Sequence, residues 1–384
     1  MRIYFDNNAT TPIHPDVLRV LTEALRDTYG NASSIHKEGQ SARRAIEEAR
    51  ESVGRLVGAS AREMVFTSGG TESNNAAIFG AVGSGRRDHL VTTAIEHPSV
   101  AAAVAELGRR GHDVTTISPR RSGDVVADQV IAAIRPETRL VTMMLANNET
   151  GVLQPVAEVA AVCRERGIHM HCDAVQGAGK IEINAEKLGV DTLSMSAHKL
   201  HAPKGIGALY VRRGLTLEPY IMGGAQERRR RAGTENVPLA AAFGAAARLA
   251  MEPGLSARVG ALRDRFESLL GGSITINGAN VPRLPNTSNV TFHNADAEGI
   301  AIALDLDGVA VSTGSACSSG RTEPSGVLIA MGLTPDEAKS TVRFSLSRFN
   351  TEAEVDRVAA LLREIVPRCL VQASGAGHPA SGDD

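Results

Sequence analysis

In PDVLRVLTEAL, Val17, Leu18, Leu21 and Leu25 recur at helical spacing, and in SARRAIEEARESVGRLVG so do Ile46, Ala49, Val53 and Leu56. Both stretches therefore predict amphipathic helices with one face turned to a core. Beyond them the period changes. Seven short apolar runs, EMVFTS, HLVTTAI, DVTTIS, RLVTMMLA, IHMHCDAV, DTLSMSA and GALYVRR, alternate with helical stretches. Each has the length of a buried strand, and the alternation predicts an open, mostly parallel α/β sheet. In such a sheet, ligand-binding residues gather in loops just beyond the carboxyl ends of the strands.

Around Met251 to Leu255 the pattern gives way to a long helix, GLSARVGALRDRFESLLGG. It is followed by NTSNVTFHN, AEGIAIALDLDG, VAVSTGSAC, VRFSLSR and a last helix through EVDRVAALLREIV. This order predicts a second, smaller α+β domain. The final VQASGAGHPASGDD is small, polar and rich in Gly, Pro and Ser, a composition expected to stay disordered.

With 384 residues, 42% of them hydrophobic, the chain can bury one sizeable core and a satellite. Lys+Arg 41 against Asp+Glu 43 gives a net charge of -2, so no global basic field attracts nucleic acid or an anionic membrane. The balance favours a small-molecule enzyme. Cys163, Cys172, Cys317 and Cys369 stand at unrelated spacings, forming neither a metal knuckle nor a disulfide frame. No apolar run approaches the roughly 20 residues of a membrane span, and the polar start is unlike a signal peptide. A soluble, cytoplasmic protein is the expectation.

Three places carry chemistry. In EMVFTSGGTESNN a strand runs through Ser68, Gly69, Gly70 and Thr71 into a helix, whose free N–H groups suit a phosphate; an ordinary glycine turn with a threonine cap suits the same letters. IHMHCDAVQG ends a strand on Asp173, and DTLSMSAHK ends another on Ser196, His198 and Lys199. An acid and a lysine at neighbouring strand ends are what pyridoxal phosphate requires, one for its ring nitrogen and one for a Schiff base. Taken singly they also read as a helix cap and a surface lysine. Lastly, Cys317 sits among Gly, Ser and Thr in VAVSTGSACSSGRTEPSG, a setting that leaves a nucleophile reachable. Cys163 and Cys172 suit a core, and Cys369 lies near the chain end.

Together these motifs resemble the cysteine desulfurases, in particular the NifS and IscS class. The resemblance spans nearly the whole chain through FDNNATTP, GNASSIH, TSGGTES, IEHPSV, ANNETG, HCDAVQ, SAHK, PKGIGALY, GTENV, GSACSSG and RFSLSR. It implies a fold type I pyridoxal-phosphate transferase. The large α/β domain would hold a seven-stranded, mostly parallel sheet over residues 13–250. Residues 1–12 and 251–368 would form the small α+β domain with the cysteine loop, and 369–384 a disordered tail. It further implies that Lys199 forms the Schiff base, Asp173 pairs with the pyridine nitrogen, Gln176 bonds the phenolic oxygen and His97 stacks on the ring. Gly70, Thr71, Ser196 and His198 would hold the phosphate, with Thr234 supplied by the second subunit of a homodimer. Asn148 would lie near the phenolic oxygen and the substrate, and Arg343 would grip the substrate carboxylate.

The activity so implied converts L-cysteine to L-alanine and leaves a persulfide on Cys317, with Lys199 as base and His97 assisting. A mobile loop would carry the persulfide to an acceptor such as an iron–sulfur cluster scaffold. No metal site of the chain's own is expected, although Cys317 would meet a nascent cluster on such a scaffold. Use of the same chemistry for tRNA thiolation or DNA sulfur modification, a selenocysteine lyase or aminotransferase-like reaction, and a cofactor-free scaffold remain the alternatives. Ala32, Ala225, Ala232 and the run Arg228 to Arg231 depart from the family pattern without removing a catalytic group. The arginine run is expected to be a local anion site or a solvated face.

Overall fold

The seven apolar runs form seven strands of one sheet in the computed structural model, which describes residues 2–82, 87–313 and 323–371. They are β1 (Met64–Thr67), β2 (His89–Thr93), β3 (Asp113–Ile117), β4 (Thr138–Met144), β5 (His169–Asp173), β6 (Thr192–Ser196) and β7 (Gly207–Val211). Their order is β1-β7-β6-β5-β4-β2-β3. β7 runs antiparallel to both its neighbours, and every other adjacent pair is parallel. Every residue of β1, β2, β5, β6 and β7 is buried, which is why these strands read as continuous apolar runs rather than as alternations.

Helices α1 (Pro15–Asp27), α2 (Lys37–Leu56), α3 (Gly70–Ala81), α4 (Pro98–Arg109), α5 (Val156–Glu165) and α6 (Val237–Ala250) cover this sheet. α2 and α6 approach closely because Gly244 has no side chain: a Cβ there would lie 2.6 Å from Cα of Ala49. On α1 the buried face differs from the expected one. Val17 and Ala24 are buried and Val20 and Leu21 pack on the core, whereas Leu18 and Leu25 stand 49% and 62% exposed. Each residue turns the helix by about 100°, so Leu18 and Leu25 lie one such step around from Val17 and Ala24.

A second sheet contains β8 (Ile274–Ile276), β9 (Thr287–Phe292), β10 (Ser312–Thr313) and β11 (Thr341–Ser345), all antiparallel in the order β10-β11-β9-β8. Helices α7 (Leu255–Leu269), α8 (Ala297–Leu306) and α9 (Glu352–Ile365) close a separate apolar core that includes Phe266, Phe292, Ile300, Val342, Phe344 and Val355. The chain's start belongs to this core. Ile3–Tyr4 pairs in parallel with Val309–Ala310, and Phe5 meets the edge of Phe266 with ring centroids 6.0 Å apart.

Residues 6–14 then cross to the first sheet, where Thr11 N donates to His198 O at 3.1 Å and His14 N to His201 O at 2.9 Å. At the other terminus, Asp296 N donates to Cys369 O and Val371 N to Asn294 O. The first residues of the expected tail are thus paired; 372–384 lie outside the described residues. Among the described residues no helix is long and apolar enough to cross a membrane.

Candidate active site

Six strands of the large sheet, all but β7, end on the same edge. β1 passes through Ser68 and Gly69 into α3, which starts at Gly70. The first N–H groups of a helix have no partner within it, and the turn here is crowded enough to demand glycine. A Cβ on Gly70 would lie 2.8 Å from Val175 Cγ2, and one on Gly207 would lie 2.7 Å from the Gly69 backbone. Ser196, on the last residue of β6, stands beside the same turn. Gly70, Thr71, Ser196 and His198 all line one cleft.

Asp173 ends β5 and faces the cleft, 5% exposed. Its Oδ1 accepts from Val175 N at 3.0 Å and its Oδ2 from Asn74 Nδ2 at 2.8 Å. Asn74 Nδ2 also donates to Ser99 Oγ at 2.8 Å, and His171 Nε2 lies 3.1 Å from Asn74 Oδ1. Burial pushes His171 down to about 3, so it is neutral and donates Nε2–H to that amide oxygen. Both N–H groups of Asn74 are thereby committed, one of them to the carboxylate.

Lys199 follows β6 in a short turn, Ala197–Lys199. Its Nζ donates to Asn8 O at 2.5 Å and Ala9 O at 2.7 Å. Asn8, 1% exposed, is a junction. Its carbonyl also accepts from Gln176 Nε2 at 3.0 Å, and its Oδ1 accepts from Lys180 Nζ at 2.8 Å and Asn286 Nδ2 at 3.0 Å. Its Nδ2 donates to Asn148 O and Thr287 Oγ1.

His97 caps the N-terminus of α4. Its Nδ1 accepts from Ser99 N at 3.1 Å and lies 2.7 Å from Ser99 Oγ, leaving Nε2 for the cleft. Burial lowers its pKa, and Lys199 adds to this while Asp173 opposes it. His198 is pushed down to about 4 by burial and by the cations Lys199 and Lys204. Both imidazoles are therefore neutral at pH 7.

The opposite wall is Arg343, in the middle of β11 and 3% exposed. One terminal nitrogen donates to Asn148 O at 3.1 Å and the other to Asp6 Oδ1 at 2.7 Å. Its Nε is buried and has no partner among the described residues.

Ten of the expected residues, Gly70, Thr71, His97, Asn148, Asp173, Gln176, Ser196, His198, Lys199 and Arg343, thus line one cleft. Two are not in it. Thr234 is exposed on the segment before α6, beside a different hollow lined by Thr67, Ser68 and Arg231. Cys317 and its expected mobile loop lie outside the described residues.

The arginine run is only partly the solvated face expected of it. Arg231 pairs with Glu72 at 3.0 Å, Arg228 donates to Ala61 O and Arg62 O, and the preceding Glu227 forms a buried pair with Arg50 at 2.5 Å.

The donor set fits pyridoxal phosphate. A helix start cleared by Gly70 matches the phosphate, a fixed carboxylate the ring nitrogen, and a lysine the aldehyde. Sequence reasoning missed Asn8, Asn74, Ser99, Glu96 and Lys180. Glu96, next to His97, accepts from Thr93 Oγ1 at 2.6 Å and Met144 N at 2.9 Å, and burial pushes it up to about 8. It ties the ends of β2 and β4 together. Its only sequence signal was a charged residue at the end of an apolar run.

The aminotransferase class-V family model matches residues 3–358. The chain is 46% identical over 373 residues to a cysteine desulfurase of Nostoc sp., covering 95% of this chain and 93% of that protein. It is 47% identical over 374 residues to a cysteine desulfurase IscS of Anaeromyxobacter dehalogenans, with 95% and 92% covered. Among solved structures, a NifS-like protein superposes with a TM-score of 0.89 at 36% identity, over 96% of this chain and all of that one. SspA in complex with cysteine does so with a TM-score of 0.83 at 37% identity, over 91% and 100%.

Proposed function

The chain belongs to the class-V aminotransferase family and is a pyridoxal-phosphate-dependent cysteine desulfurase, and we propose that it takes the sulfur of L-cysteine onto Cys317, releases L-alanine and passes the sulfur to an acceptor protein. One observation carries the reading: Lys199, Asp173 and the Gly70–Thr71 helix start, far apart in sequence, share one cleft with Arg343. On this reading residues 13–250 form a cofactor-binding domain, and 1–12 with 251–368 a domain that supplies Arg343 and the cysteine loop.

Gly70, Thr71, Ser196 and His198 would hold the cofactor's phosphate, Asp173 its ring nitrogen, Gln176 and Asn148 its phenolic oxygen, His97 its ring face and Lys199 its aldehyde. When bound, the cofactor supplies an electron sink that acidifies the substrate's α-proton. Arg343 binds the substrate carboxylate; Asp6 and Asn148 fix its two terminal nitrogens and leave Nε as a donor. Lys199 Nζ takes the α-proton, and neutral His97 moves protons at its free Nε2. The Cys317 thiolate attacks the substrate sulfur, whose bond to carbon breaks. A persulfide stays on Cys317, and the carbon fragment gains a proton and leaves as L-alanine.

The acceptor in this proposal is an iron–sulfur cluster scaffold met in the cytoplasm, and the working unit is a homodimer in which Thr234 of a second copy completes each phosphate site. Purified protein should be yellow and form alanine from L-cysteine, and a Cys317→Ala variant should keep its colour but form no protein persulfide. Undiminished alanine formation by Cys317→Ala would favour the lyase alternative, and a colourless protein unable to take up the cofactor would end the enzyme reading. Equilibrium sedimentation tests the dimer.

A further inference from the structure

Gln176 and Lys180 stand four residues apart on the helical turn that follows β5, where Gly177 N and Ala178 N both donate to Ala174 O. Gly179 makes the placement possible. Its φ is +71°, and a Cβ there would fall 2.3 Å from Leu200 Cδ2. Lys180 does not line the cleft. It stands behind it, partly buried, at the wall of a second, small cavity shared with Asn7, Lys199 and Asn286.

From there Lys180 Nζ donates to Gln176 Oε1 at 2.7 Å and Asn8 Oδ1 at 2.8 Å. The Asn8 carbonyl, which can only accept, takes Gln176 Nε2 at 3.0 Å. The amide of Gln176 is therefore held at both ends: its oxygen is engaged from behind, and one N–H remains for the cleft that Gln176 lines.

We propose that Lys180 is a positioning residue for Gln176, locking its amide so that it presents a donor N–H, suited to an anionic oxygen, to the ligand in the cleft. This rests on the cofactor reading above, in which that oxygen is the phenolic one. Lys199, Arg343, His198 and His201 are the ionisable groups that interact electrostatically with Lys180. Burial, with Lys199 and Arg343, lowers its pKa well below the usual lysine value. The donation survives this, because a neutral amine still offers N–H groups.

The test is a double-mutant cycle read in the pH titration of the holoenzyme's visible absorption band. A donor to the phenolic oxygen favours its ionised form and lowers the titration midpoint. Lys180→Met should raise the midpoint by about one unit, the scale of one charge-assisted hydrogen bond. In a Gln176→Leu background, where no amide remains to be positioned, the same substitution should move it little. An equal shift in both backgrounds would show that Lys180 acts only through its charge, and an unmoved midpoint in Lys180→Met would show that it has no role at Gln176. Either overturns the assignment. If Lys180→Met does not fold, Lys180→Arg keeps donors at the position and should hold the wild-type midpoint, and a shift of a unit or more in it counts against the proposal. A wild type with no visible band after cofactor loading would instead sink the reading on which the inference rests.

Discussion

The two sheets supply the cleft in opposite ways. In the seven-stranded sheet the strand bodies are packing, and chemistry begins where the strands stop: Asp173 and Ser196 are the last residues of β5 and β6, and Lys199 comes three residues later. In the four-stranded sheet the polar groups lie within the strands. β11 alternates, with Val342 and Phe344 in the second apolar core and Thr341, Arg343 and Ser345 on its other face. The cleft is thus the edge of one sheet set against the face of another. An edge offers loops that can vary without disturbing a core. A face holds a group rigidly by the register of its neighbours, as Asn289 and Ser312 flank Arg343.

The sharpest way to break this contrast is to remove one group from each side. Lys199→Ala should lower alanine formation by about a thousandfold or more, because base and cofactor anchor are lost together. Arg343→Lys should act on binding instead, raising KM for L-cysteine by about tenfold to a hundredfold with a smaller change in kcat, since the planar fork and its fixed partners are gone. Equal losses of kcat in the two variants would show that edge and face are not divided between chemistry and binding. Gly70→Ala should weaken cofactor binding about tenfold, because its Cβ would displace Val175 from the phosphate turn. Equilibrium dialysis against the cofactor measures it.

A smaller effect tests what the edge costs the fold. Glu96 is raised from 4.5 to about 8, so its neutral form is the stable one in the folded chain. The contribution is complete below about pH 4.5 and lost as pH rises through about 8. Glu96→Gln should flatten that decline in urea melts taken between about pH 5 and about pH 9. The smallest effect concerns α1: Leu18→Ala should change stability by less than about 0.5 kcal/mol, while Val17→Ala costs about 2 kcal/mol.

The large sheet was readable because strands buried on both faces need no partner to be recognised; apolar runs between turns suffice. Asp173 and Lys199 were readable for a related reason, being ionisable residues at the ends of such runs. The face of α1 was misjudged because apolar side chains one step apart around a helix compete for the core, and only packing against α6 decides between them. Asn8, Asn74 and Lys180 were not readable at all. They are ordinary polar letters whose partners lie up to hundreds of positions away, as with Asn8 and Ser345. Thr234 and Cys317 were found through motifs; Thr234 lies beside another hollow in the single chain, and Cys317 lies outside the described residues.

The path of the first residues has a consequence for how the protein comes into being. Ile3 pairs with Val309, Asn8 N donates to Ser345 Oγ at 2.9 Å, and Asn8 O receives Lys199. A ribosome makes Asn8 before the large sheet and β11 after it. The nascent chain can assemble the large sheet as it emerges, but the bracket that seats the lysine closes only when β11 has been translated as well. Amine, carboxylate and guanidinium therefore become a site at one late moment, and partial chains displaying Lys199 and Asp173 lack both Arg343 and the strand that clamps Asn8 in place.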